Sequence, residues 1–124
     1  MQGRVLGVPR SVWTALTVVL VLVIAVVSML PPRGTPGPQI ADLGEARALL
    51  LHALGYMLLA TAAMLAQRVP RPIVTALVII GYGVVLELLQ GLVGLRSAQV
   101  TDALANAAGA IVGVAVATLV PRRA

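Results

Sequence analysis

The chain has no cysteine, no phenylalanine and no lysine, and only four acidic residues in 124. Each absence excludes something. Without cysteine there are no disulfides, no thiolate nucleophile and no Cys-ligated zinc. Aromatics are 2% of the chain, too few for the stacking platforms that hold nucleic acid. Charged residues are 10%, where a soluble domain carries about 25%. A chain this short leaves a large share of its residues at the surface, and so little charge cannot coat that surface. Disorder is excluded too, because it needs low hydrophobicity. Here 60% of residues are hydrophobic and the mean hydropathy is +1.03. A membrane-spanning helix takes about 20 apolar residues. Four such helices fit with connectors to spare, and a fifth leaves almost none. The expected class is all-α: a polytopic membrane protein with four transmembrane helices in a compact bundle.

The apolar runs fall at Val12–Leu30, Ala48–Ala66, Pro72–Val93 and Ala103–Val120. The first is longer than the apolar core of a cleaved signal peptide and lacks a small-x-small cleavage site, so it reads as a retained span. Residues 31–47 form the longest connector, with four prolines and three glycines that forbid a continuous helix. Asp42 to Arg47 could begin a short amphipathic turn. Pro72 suits the first position of a helix, and Thr101 or Asp102 suits an N-cap. Neither a repeat nor a separate soluble domain is visible, so residues 1–124 read as one membrane domain.

All nine basic residues are arginine, and the net charge is +5. With four spans, Arg4, Arg10, Arg68, Arg71, Arg122 and Arg123 share the side of the termini. Arg33, Arg47 and Arg96 lie on the other side. The positive-inside bias then predicts both termini in the cytoplasm.

This topology brings the polar residues of three spans to one depth. His52 lies five residues in from Arg47, Glu87 six residues before Val93, and Asn106 four residues in from Asp102. At about 1.5 Å per residue they sit ~6–9 Å below the outer helix ends. His52 and Tyr56 share a face by i,i+4 spacing, as do Glu87 and Gln90 by i,i+3 and Asp102 and Asn106 by i,i+4. Arg96 lies in the short loop between the last two pairs. An ionisable group inside a span costs about 2.5–3.5 kcal/mol at mid-membrane and usually faces the bundle. The bland reading is a structural clamp, because interhelical hydrogen bonds hold membrane bundles together. Seven polar residues of complementary chemistry at one depth favour a site. The first span, without an ionisable residue, is expected to pack outside it. The fourth span also carries Ala105, Gly109, Gly113 and Ala117, a small-xxx-small stripe that allows close helix approach. Packing inside the bundle is the simpler use of that stripe, and a homodimer through it is the other.

The string His52-x-x-x-Tyr56, Glu87-x-x-Gln90, Arg96, Asp102-x-x-x-Asn106-x-x-Gly109-x-x-x-Gly113 resembles the VanZ-like membrane family over about residues 47–119. The chain departs from the family pattern at Leu49, where a basic residue is common, and at Leu86, where Asp often precedes the Glu. The family takes its name from a protein associated with low-level teicoplanin resistance. The resemblance implies a bacterial plasma-membrane protein that influences the envelope.

Three functions compete. In the first, the outward site binds an envelope lipid or a lipid-linked cell-wall precursor. Arg96 would hold phosphate in its donor fork, and Tyr56, Gln90 and Asn106 would read neighbouring groups. In the second, the chain is a small intramembrane enzyme, with His52 as base or nucleophile, Glu87 or Asp102 as orienting group or acid, and Arg96 on a phosphate. A metal held by His52, Glu87 and Asp102 is a weak variant, since no recognised metal spacing is present. No cofactor motif and no nucleic-acid signature accompany either reading. The third is transport, ranked last because the first span has no acid and the fourth lacks aromatics for drug cations.

Overall fold

Apolar runs of about 20 residues satisfy their own backbone hydrogen bonds only as helices when no water is at hand, and the computed structural model of the chain is built that way. It describes residues 3–30, 41–93 and 100–122, with the side chains of residues 41–45 left out of account. Helix α1 runs Arg10–Ser28, α2 Ala41–Ala66, α3 Pro72–Val93 and α4 Val100–Thr118. All four are long and apolar enough to cross a membrane. They alternate in direction, so α1 begins and α4 ends at the same end of the bundle, here the terminal end. The opposite end holds the last turns of α1 and α3 and the first turns of α2 and α4.

The molecule is apolar outside. Leu50, Leu54, Leu58, Ile73, Leu77, Val78, Leu92 and Leu104 are exposed, while Thr75, Glu87, Gln90, Asp102 and Asn106 are buried. A water-soluble fold would invert that arrangement. A bilayer produces it, because lipid gives leucine no reason to turn inward. The chain is a multi-pass membrane protein.

Close approach of α2 and α4 organises the interior. A Cβ on Gly109 would overlap the backbone carbonyl of Ala53, and one on Gly113 would overlap that of Met57. Thr61 Oγ1 bridges the pair, donating to the Met57 carbonyl at 2.7 Å and to the Gly113 carbonyl at 3.2 Å. Gly109, Gly113 and Ala117 are buried, with Ala105 half-buried at the edge. The small-residue stripe is thus filled by α2 of the same chain, and a second copy would have to displace that helix. α3 packs mainly on α4, and its buried residues are Thr75, Ile79, Gly83, Leu86, Glu87 and Gln90. α1 packs mainly on α2 and has no fully buried residue.

The bounds of α3 and the end of α2 match the sequence reading, and the other helix ends shift by two to seven residues. α2 starts at Ala41, so the amphipathic turn expected from Asp42 to Arg47 is continuous with the span. Twenty-six residues at about 1.5 Å each exceed the ~30 Å hydrocarbon core, which puts that first stretch beyond the core. α4 starts at Val100, which places Thr101 and Asp102 within its first turn and not at its cap. An acid in the first turn still meets the positive end of the helix dipole.

A small hairpin precedes α1 and has no counterpart in the sequence reading. Strands β1, Arg4–Val5, and β2, Val8–Pro9, pair antiparallel across Leu6 and Gly7. Both turn residues have positive φ, 56° and 75°, the mirror-image turn that matches strand twist. Val5 is buried in the core cluster, and its carbonyl accepts from Trp13 Nε1 at 3.1 Å. On the same end, Arg122 reaches back from beyond α4. Its two Nη atoms donate to the Gln67 carbonyl at 2.6 Å and the Met64 carbonyl at 2.5 Å. That fork caps the C-terminal carbonyls of α2, where a cation also complements the dipole.

The α2–α4 contact makes a sharp contrast testable. Gly109→Ala should destabilise the protein by about 1–3 kcal/mol through overpacking. Gly81→Ala, whose added Cβ meets nothing within 4 Å, should be neutral or stabilising by up to about 1 kcal/mol. Thermal unfolding of both variants in the same detergent reads the difference. Equal melting temperatures would mean that α2 and α4 are not in backbone contact.

Candidate functional site

At the end opposite the termini, four helices contribute to one polar cluster. His52 stands on α2 one turn above Tyr56. On α4, Asp102 stands one turn before Asn106. On α3, Glu87 lies one turn beyond Gly83 and one turn before Gln90. Helical spacing of 3–4 residues turns each pair inward together. The backbone contact at Gly109 then fixes how far apart the α2 and α4 pairs can be.

The geometry joins them directly. His52 Nδ1 and Asn106 Oδ1 are 2.9 Å apart. Tyr56 reaches across α2 to α3, where its ring packs on Gly83. A Cβ on Gly83 would lie 2.9 Å from Tyr56 Cε2 and 3.3 Å from Asn106 Nδ2. One glycine therefore leaves room for both a phenol ring and an amide. Tyr56 also stacks obliquely on Tyr82, with ring centroids 6.3 Å apart and planes at 38°. Glu87 lies in Coulombic range of Tyr56. Glu87, Asp102 and Asn106 are 5%, 3% and 3% exposed, so the cluster is interior, not a solvated rim.

Gln90 departs from expectation. Its Nε2 donates to the Ser28 carbonyl at 2.5 Å, which brings the last turn of α1 to the edge of the cluster. The first helix, expected to lie outside, supplies an acceptor and a wall. Gln90 Oε1 is buried and has no partner among the described residues. Turning the amide over would set that oxygen against the Ser28 carbonyl, so the orphan acceptor is the better of two orientations. A buried acceptor without a donor costs about 1–3 kcal/mol.

An apolar cleft of about 310 Å³ leads into the cluster. Val23, Ile24 and Val27 of α1 line one side, and Leu51, His52 and Tyr56 of α2 line the other. Its polar lining residues are Ser28, Tyr56 and the half-buried His52.

Of the residues singled out from sequence, His52, Tyr56, Glu87, Gln90, Asp102 and Asn106 all lie at this end. His52, Tyr56 and Asn106 are brought together with Gly83 between them. Gln90 is directed to α1. Arg96 lies outside the described residues. Among the described residues no three His, Asp or Glu side chains gather closely enough to hold a metal ion, so His52, Glu87 and Asp102 do not form the metal triad weighed above. Sequence reasoning missed Ser28, Tyr82 and Gly83. Only Gly83 carried a signal, as a small residue one turn before an intramembrane Glu.

The amide orientation also sets the histidine tautomer. Asn106 Oδ1 can only accept, so His52 Nδ1 carries the proton and Nε2 keeps its lone pair. Nitrogen-15 spectra of His52 should show a protonated Nδ1 and an unprotonated Nε2 when the ring is neutral. The opposite tautomer would mean that the Asn106 amide is reversed. Asn106→Leu should lower stability by about 0.6–2 kcal/mol, the range for interhelical membrane hydrogen bonds, and should release the tautomer preference.

Comparison with known proteins bears on the same residues. No curated protein and no solved structure gives a significant match to the chain. The model of the VanZ/LLP1 family matches residues 40–121, which takes in α2, α3, α4 and every polar residue of the cluster. That stretch is about two thirds of the chain, and the chain belongs to the VanZ/LLP1 family.

Proposed function

We propose that the polar cluster receives the headgroup of an envelope lipid, or of a lipid-linked cell-wall precursor, that enters sideways from the bilayer. The observation that carries this reading is the cleft between α1 and α2. Its lining is mostly apolar and includes His52 and Tyr56. An acyl chain suits the apolar lining, and a polar headgroup suits His52 and Tyr56. Gln90 Oε1, a buried acceptor, would take a ligand hydroxyl or amide proton. Arg96, in the segment joining α3 to α4, would supply the phosphate fork.

In this proposal both termini are cytoplasmic, from the arginine asymmetry, in a bacterial plasma membrane. The cluster then faces the outer leaflet, where lipoglycopeptides insert, and the expected phenotype is altered teicoplanin tolerance. Reporter fusions at Arg68–Pro70 and after Arg122 should both read cytoplasmic. An external signal at either position sinks the orientation.

Site and clamp separate at Glu87. Were the cluster only structural, unpairing a buried charge would cost about 3–5 kcal/mol. A functional group is often kept at some expense to stability. Glu87→Gln keeps the shape and removes the charge. It should leave the protein equally or more heat-stable in detergent and abolish its effect on teicoplanin susceptibility in a deletion strain. Unfolding of the variant, or full tolerance from a well-folded one, overturns the reading of Glu87.

A further inference from the structure

A second, larger cleft lies at the other end of the molecule, between α1, α2 and α3. It encloses about 640 Å³, within the usual range of ligand sites. Its length is set by the helices. Along α2 its lining starts at Leu59 and continues past the helix end at Ala66 to Gln67 and Arg68, and along α3 it runs from Tyr82 back to Val74, with Arg71 just before the helix. The helical stretches 59–66 and 72–82 rise through seven and ten steps of about 1.5 Å, or ~10 and ~15 Å, before the link that carries both arginines is added. Half of a ~30 Å hydrocarbon core is ~15 Å. The cleft is thus about as long as one leaflet is deep.

Its chemistry is graded along that length. The polar side chains in its walls already have partners inside the protein. Thr17 Oγ1 donates to the Trp13 carbonyl at 2.8 Å, Gln67 Nε2 to Thr75 Oγ1 at 2.7 Å, and Tyr82 Oη to the Val21 carbonyl at 2.5 Å. Gln67 Oε1 accepts from the Arg71 backbone N–H at 2.9 Å. What these walls leave for an occupant is apolar surface. The mouth differs, because the exposed Arg68 and Arg71 flank it.

Among the described residues no acidic side chain lies at the end that carries those two cations. The chain's four acidic residues are Asp42, Glu45, Glu87 and Asp102, and all belong to segments at the opposite end. The terminal end collects Arg4, Arg10, Arg68, Arg71 and Arg122. Burial lowers the Arg122 guanidinium from its ordinary value, and neighbouring Arg10 lowers it further, a sign of crowded positive charge. Arg122 is committed to the α2 carbonyls. Arg68 and Arg71 stand at the entrance to an apolar slot one leaflet deep.

We propose that this cleft is a binding site for one anionic phospholipid of the leaflet on the terminal side, with its phosphate on Arg68 and Arg71 and an acyl chain along α2 and α3 as far as Tyr82. The site is independent of the polar cluster, which lies at the other end and in the other leaflet.

Native mass spectrometry of the detergent-purified protein tests it, with phosphatidylglycerol and phosphatidylcholine added in equal amounts. One phosphatidylglycerol should be retained in preference to phosphatidylcholine. Arg68→Gln with Arg71→Gln should cut that retention at least about tenfold, since each arginine near an anionic headgroup contributes about fivefold. Val74→Trp, at an exposed wall position, should fill the slot and cut retention with both arginines intact. Val78→Trp, on the same wall, replaces it if the first variant fails to fold by thermal shift. Glu87→Gln should leave phosphatidylglycerol retention unchanged, which separates this site from the cluster. Equal retention of the two lipids overturns the proposal. So does retention that survives the arginine double variant, or that survives the tryptophan, which would reduce the effect to surface charge. Displacement of the lipid by millimolar inorganic phosphate alone would show a bare anion site and overturn the acyl slot.

Discussion

The backbones of α2 and α4 touch at Gly109 and Gly113, and the rest of the bundle depends on that contact. A bilayer removes the usual force that drives helices together, because lipid is as apolar as leucine. Packing and hydrogen bonds must do the work, and both improve as backbones approach. Any side chain at these two positions would meet the Ala53 and Met57 carbonyls. With none there, the axes close up, Thr61 bridges the gap, and His52 comes within 2.9 Å of Asn106 one turn further along. The polar cluster is therefore a consequence of the glycines as much as of the polar residues themselves.

Both ends of this helix pair are fastened, by different chemistry. At one end the His52–Asn106 hydrogen bond crosses between them. At the other, Arg122 forks onto the carbonyls of Met64 and Gln67. The first joins two side chains within the membrane. The second uses a cation on a helix C-terminus, where the dipole welcomes it. Charge is sorted to match. Acids occupy segments of the end with the polar cluster, and most arginines occupy the other, so each end of the molecule meets its leaflet with a different field.

Much of this was legible in the chain, for physical reasons. Four apolar runs of membrane length can only be spanning helices, and alternation of direction alone sets a common depth for His52, Glu87 and Asn106. The stripe from Ala105 to Ala117 pointed to close packing, and the structure shows its partner to be α2. The hairpin at Arg4–Pro9 was illegible because two-residue strands show no alternation, and Leu-Gly is a poor turn signal beside Asn-Gly. Boundary errors at α2 and α4 arose where helices extend past the apolar run, which hydropathy does not report. The role of Ser28 was hidden for a deeper reason. What Gln90 finds there is a main-chain carbonyl, and every residue has one.

That last point bears on α1, which is the common wall of both clefts. It has no fully buried residue. α3 holds it through two of its carbonyls, those of Val21 and Ser28, which accept from Tyr82 and Gln90. Carbonyls inside a helix are already engaged along its axis, and an oxygen has a second lone pair to share. Losing these contacts leaves the helix itself intact. Elements with few buried apolar contacts are also the ones that open at least cost. The polar side chains of the cluster all belong to α2, α3 and α4, and α1 adds only the Ser28 carbonyl. In both proposals, the ligand near His52 and the ligand near Arg68 and Arg71 would meet the same helix, the one with no fully buried residue.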